Sequence, residues 1–187
     1  MSFYKANIDY YKNLSEIVNE LLISANITKA PVPIKQIASL CGANVVGYDF
    51  GEEISGVLVV EGSKGTIGFN TANSRVRQRF TIAHELGHLK QHVNLNNKEK
   101  EFFVDKDFIV KFRSDKEYTP KEMAQEREAN AFAAAILMPK KFILDEMKDT
   151  KYKGLHETSL IEELAKVFEV SVPAMTYRLS DLNIYRY

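Results

Sequence analysis

The sequence predicts an α+β fold, with one small β-sheet early in the chain and a largely helical second half. Two patterns carry that expectation. Between residues 43 and 70 the apolar side chains fall into short runs divided by turn formers, whereas before and after they recur every three or four positions. The hydrophobic share, 45% of 187 residues, suffices for one core, so a single domain spanning 1–187 is expected.

The first helix covers residues 9–24, where Leu14, Ile17, Val18, Leu21 and Leu22 make an apolar stripe. A short second helix follows Pro33 and ends near Gly42, a residue suited to the left-handed backbone that closes helices. Val45-Val46, residues 56–60 and residues 66–69 read as three short strands. The turn cluster Glu61-Gly62-Ser63-Lys64-Gly65 joins the last two as a hairpin. The next helix starts at Asn73 or Ser74, which supply a capping oxygen, and its small and apolar Phe80, Ala83 and Gly87 suit burial against a sheet. Arg75, Arg77 and Arg79 read as a solvated helix start rather than a DNA-contacting patch.

Residues 93–118 form a long connection, in which Phe108, Val110 and Phe112 alternate as an extra strand would. Such a length points to a lid or a substrate-lining excursion. Thr119-Pro120-Lys121-Glu122 has the features of a helix start: a capping Thr, Pro at the first helical position and Glu three residues after the cap. That helix turns almost wholly apolar from Ala129 and stops at Pro139. Ser159-Leu160-Ile161-Glu162 reads as a capping box for a helix through Phe168, and Pro173 opens another through about Leu182. Residues 155–187 thus outline a helix-turn-helix-like pair packed on the domain.

Charge and composition narrow the function classes. Twenty-five basic and 25 acidic side chains cancel, leaving no global attraction to nucleic acid or anionic membrane. Cys41 is the single cysteine, which precludes an internal disulfide and fits a reducing compartment. Asn7, Asp9 and Lys12 interrupt any signal-peptide pattern, and no apolar run reaches membrane length. A soluble cytoplasmic protein is expected.

The chemistry concentrates in His84-Glu85-Leu86-Gly87-His88. On a helix, residues four apart share a face and stand about 6 Å apart along the axis, so both imidazoles can reach one Zn2+. Glu85 follows the first histidine, where its carboxylate can act as general base toward a water on that metal. His92 continues the spacing but stands roughly 12 Å from His84 along a straight helix, too far for bonds of about 2 Å. The better third ligand is Glu126, a carboxylate entering an apolar helix one turn before Asn130, which can hydrogen-bond a ligating histidine. Glu128 is the rival, but it points about 200° away around that helix.

These motifs together resemble the ImmA/IrrE family of zinc metallopeptidases: His84-Glu85-Leu86-Gly87-His88, then Glu126-x-x-Ala129-Asn130-x-Phe132-Ala133 and Leu137-Met138-Pro139. The resemblance runs loosely from about Ile34 to the C-terminus and implies a zincin-like fold, with the sheet packed on the histidine-bearing helix. Matched by position, it implies His84, His88 and Glu126 as zinc ligands and Glu85 as the acid/base. It also implies a protein substrate, a helix-turn-helix (Xre-type) repressor of a prophage or conjugative element, whose cleavage derepresses genes. The chain length corresponds to the short form, without a C-terminal sensor domain.

In zinc peptidases of this architecture a sheet edge beside the metal pairs with extended substrate, which places Gly68, Phe69 and Asn70 along the cleft. Arg113 and Tyr118 are candidates for holding an oxyanion; Tyr177 is a further hydrogen-bond donor, though packing suits it better. A rival reading makes the C-terminal helical pair a DNA-binding unit. Against it, residues 155–187 hold three basic side chains and five acidic ones, a net of −2. A third reading keeps the zinc fold as a non-catalytic module that sequesters the repressor.

Overall fold

The structure, a computed structural model, describes residues 2–61, 64–93, 101–106 and 119–184, with residues 2–9, 11–12 and 101–106 described by their backbone alone. The α+β expectation holds. The chain packs as two compact units, one formed by residues 33–133 and the other by residues 1–32 and 134–187.

The unit of residues 33–133 is built on a four-stranded sheet. Helix α1 (Ser2–Ser24) precedes it in the chain; α2 (Ile34–Leu40) then leads through Gly42, at φ +80°, into β1 (Ala43–Tyr48). Strands β2 (Ile54–Glu61) and β3 (Lys64–Asn70) form the expected hairpin, antiparallel with Glu61 opposite Lys64. Strand β1 runs parallel to β3, and β4 (Glu101–Lys106) pairs antiparallel with β2, giving the order β1-β3-β2-β4. The fourth strand lies inside the long connection, but the alternation at Phe108, Val110 and Phe112 falls outside the described residues. Helix α3 (Arg75–Gln91) packs on β2 and β3, with Ile82, Ala83, Leu86 and Leu89 buried. Helix α4 (Pro120–Leu137) follows, and its residues through Ala133 belong to this unit.

Because β3 is central, paired on both sides, Gly68, Phe69 and Asn70 do not border an open sheet edge as expected. Phe69 is buried core under the Lys35 ammonium, 4.4 Å from its ring centre. Asn70 is 2% exposed and spends its amide on the fold. Its Nδ2 donates to the Gly51 and Ile54 carbonyls at 2.6 and 2.8 Å, and its Oδ1 accepts from the Ala72 amide at 3.0 Å. It therefore clips the β1–β2 connection to the end of β3. Asn70→Ala should leave two carbonyls without this donor and cost about 2–3 kcal/mol in denaturant-derived unfolding free energy.

In the other unit, Leu14, Val18 and Leu22 of α1 are buried as the stripe predicts. The helix begins earlier than residue 9, at Ser2. Helix α5 (Lys140–Glu146) and a 3-10 turn (Thr150–Tyr152) lead to α6 (Glu157–Phe168) and α7 (Val172–Asp181). Ile143, Tyr152, Leu164, Phe168 and Met175 are fully buried. The Ser159 capping box does not form: α6 starts three residues sooner, with His156 at the N-cap position making no side-chain cap bond and Glu157 placed favourably in the first turn. Glu169 in the left-handed conformation ends α6, and Ser171 Oγ caps α7 by accepting from the Ala174 amide at 3.2 Å.

Glu146 accepts hydrogen bonds from Lys151 Nζ at 2.6 Å and Tyr152 Oη at 2.8 Å, and these hold its carboxyl below the usual range. A folded pKa below the unfolded one gives stability that is present at neutral pH and lost as pH falls through the folded value. Glu146→Gln should therefore flatten the acid limb of a stability-versus-pH curve, most visibly below about pH 5.

Candidate metal centre

Helix α3 opens at Ser74, whose Oγ accepts from the Arg77 amide at 3.3 Å. From Arg79 to Leu89 every side chain but Phe80 is buried, so polar side chains are carried inside with the apolar ones. Of the three arginines at its start, Arg75 is exposed as expected, but Arg77 and Arg79 are not solvated. Arg79 is 9% exposed, and Arg77 donates through Nε and Nη2 to Ser55 Oγ at 3.2 and 3.0 Å. Arg77 thereby ties the start of the helix to Ser55 of β2.

His84, Glu85 and His88 are only 3%, 1% and 3% exposed, and buried groups of this kind need partners. Helix α4 supplies them because it can come unusually near. A Cβ added at Gly87 would lie 3.0 Å from the Ala129 Cα and 3.1 Å from its carbonyl oxygen, so the missing side chain permits the crossing. Glu126 lies three residues before that contact and Asn130 one after it. Asn130 Oδ1 sits 3.0 Å from His84 Nδ1. An amide oxygen only accepts, so in this contact His84 donates from Nδ1, and its Nε2 faces Glu126, where the neutral ring would offer its electron pair.

The three groups singled out as ligands are brought together. His84 Nε2 and His88 Nε2 are 3.1 Å apart, and the Glu126 carboxylate oxygens lie 3.5 Å from each. Bonds of about 2.0–2.1 Å at tetrahedral angles separate ligand atoms by roughly 3.3–3.4 Å, so this donor set fits a zinc ion. Among the described residues, His84, His88 and Glu126 form the group able to hold a metal. Replacing Asn130 with Ala should weaken zinc binding about 10–100-fold in a chelator competition, because His84 loses the bond that orients it.

His92 and Glu128 form a neighbouring pair. His92 is the C-cap of α3, with Nε2 3.1 Å from the Gln125 carbonyl and 3.7 Å from the Glu128 carboxylate. Burial, aided by the adjacent His88, holds its pKa below the usual histidine value. Glu128, the rival ligand, thus faces His92 and not the His84–His88 pair. Arg113 and Tyr118 lie outside the described residues. Tyr177 belongs to the other unit and is 73% exposed on α7, so the packing role expected for it does not hold.

Residues 41–180 match the peptidase family described as the IrrE N-terminal-like domain (Peptidase_M78). The chain belongs to that family. It is 26% identical over 152 residues to "Uncharacterized immunity region protein 2" of Bacillus phage phi105, covering 79% of this chain and 78% of that one. Among solved structures it resembles a protein named "Mycobacterium tuberculosis transcriptional regulator", with a TM-score of 0.62 and 19% identity. That likeness covers 96% of this chain and about half, 49%, of the other, and it concerns the fold. Among the described residues, no helix is long and apolar enough to cross a membrane.

Proposed function

We propose that the chain is a zinc-dependent endopeptidase of the ImmA/IrrE type that cleaves a helix-turn-helix repressor of a prophage or mobile element in the cytoplasm. The observation that carries this reading is the convergence of His84, His88 and Glu126 at tetrahedral spacing, with Glu85 buried on the same helix. Similarity to a phage immunity-region protein supports the choice of substrate.

Zinc held there would bring the pKa of a bound water toward neutrality and polarise a carbonyl oxygen. Glu85 takes the proton from the attacking water on its carboxylate and delivers it to the leaving amide nitrogen. Asn130 keeps the His84 proton on Nδ1, so that Nε2 stays an electron-pair donor throughout. Glu126 would hold the zinc together with His84 and His88, and its carboxylate would offset part of the ion's charge.

The test is to incubate the zinc-loaded protein with the repressor encoded beside it and identify fragments by mass spectrometry. Cleavage at one bond, abolished by chelator and restored by zinc, is expected; an intact repressor under all conditions removes the peptidase reading. A second reading, sequestration of the repressor without catalysis, draws on the structural neighbour, which is named a transcriptional regulator and not a peptidase. It requires wild type and Glu85→Gln to derepress equally in cells. Direct DNA binding has little support, since residues 155–187 carry a net charge of −2.

A further inference from the structure

Strand β2 carries a glycine whose purpose lies in the helix beside it. Gly56 shows no left-handed φ, so its backbone is one that any residue adopts, and the glycine is required for space alone. A Cβ there would overlap Thr81 Cγ2 and would stand 3.2 Å from the Gly68 carbonyl oxygen of β3 and 3.4 Å from Glu85 Oε1. Thr81 and Glu85 are four residues apart on α3, and Arg77 is one turn earlier on the same stripe. Arg77 is tied to Ser55, the residue before Gly56. In a regular strand, neighbours face opposite sides. Here the register against β4 shifts between Ile54 and Gly56, and both Ser55 and Gly56 meet α3. Thr81 is fully buried, and its methyl lies over Gly56 in the space a side chain there would fill.

We infer that Gly56 is a positioning residue for Glu85: the gap left by its missing side chain seats Thr81 and fixes the wall against which the Glu85 carboxylate is held. This rests on the proposed role of Glu85. A bulkier residue at position 56 displaces the carboxylate while leaving His84, His88 and Glu126 free to bind metal.

The experiment measures zinc affinity by chelator competition and acetohydroxamate affinity by calorimetry on the zinc-loaded protein. A hydroxamate chelates zinc and passes a proton to the carboxylate beside it, so its binding reports where that carboxylate sits without needing a substrate. Gly56→Ala should keep zinc affinity within about threefold and lose about 10–100-fold in hydroxamate affinity, as Glu85→Gln should. Adding Thr81→Ser, which removes only the overlapping methyl, should return hydroxamate binding to within about threefold of wild type. Equal hydroxamate binding by Gly56→Ala and wild type, with Glu85→Gln impaired, overturns the role of Gly56 alone. An unimpaired Glu85→Gln removes Glu85 from the site chemistry and this inference with it. Should Gly56→Ala fold poorly, the paired variant still decides: failure of Thr81→Ser to restore binding means that the glycine serves only the sheet.

Discussion

Glu85→Gln is expected to bind zinc as tightly as wild type and to lose at least about 10³-fold in the rate of repressor cleavage. The amide is nearly isosteric with the carboxylate, so the 1%-exposed pocket between α3 and β2 should not collapse. What it lacks is basicity. A glutamine can neither accept the proton of the attacking water nor return it to the departing nitrogen, and both barriers rise. Paired zinc analysis and fragment kinetics check this. A variant that cleaves at the wild-type rate would take Glu85 out of the mechanism, and one that loses zinc would mean that Glu85 helps hold the metal.

The second large effect is expected at Glu126. Its carboxylate is one of three groups around the metal position, and zinc binding at such sites is on the order of 12 kcal/mol. Removing a third of that, about 4 kcal/mol, lowers affinity close to a thousandfold. Glu126→Ala should thus emerge from purification with little zinc, while Glu128→Ala should keep a full complement. The contrast follows from the contacts: Glu126 reaches both His84 and His88 at 3.5 Å, whereas Glu128 is 3.7 Å from His92. Reversal of the two phenotypes, read by elemental analysis, would reassign the third ligand.

Much of this centre was legible in the sequence because its geometry is local. A four-residue spacing converts directly into two rings on one helix face, and the angular separation of about 200° between Glu126 and Glu128 divides their roles before any fold is known. The capping box at Thr119 is equally local, and it forms: the Thr119 amide donates to Glu122 Oε2 at 2.8 Å and the Glu122 amide to Thr119 Oγ1 at 3.2 Å. What escaped was set by long-range partners. Asn70 reads as a cleft residue because its hairpin leads into the histidine-bearing helix, where a sheet edge beside the metal would pair with substrate. Its true partners, the carbonyls of Gly51 and Ile54, lie 19 and 16 residues back and leave no periodic trace. Arg77 read as solvated until Ser55, 22 residues away, supplied its acceptor.

Strand order was hidden for the same reason. Nothing in residues 43–70 says that β1 pairs parallel with β3 and leaves β3 central. Strand β4 escaped because Phe102, Phe103 and Val104 are consecutive rather than alternating. Glycines divide the same way: Gly42 was legible as the left-handed end of α2, and Gly87 as a small residue on a buried face, but only the packed helix beside each shows that Gly87 admits Ala129 and Gly56 admits Thr81.

The most direct test of the zinc centre is an anomalous difference map collected at the zinc edge from crystals of the zinc-loaded protein. One peak is expected within about 2.0–2.2 Å of His84 Nε2, His88 Nε2 and a Glu126 oxygen. A peak bonded to other side chains, or none at these three, would contradict it.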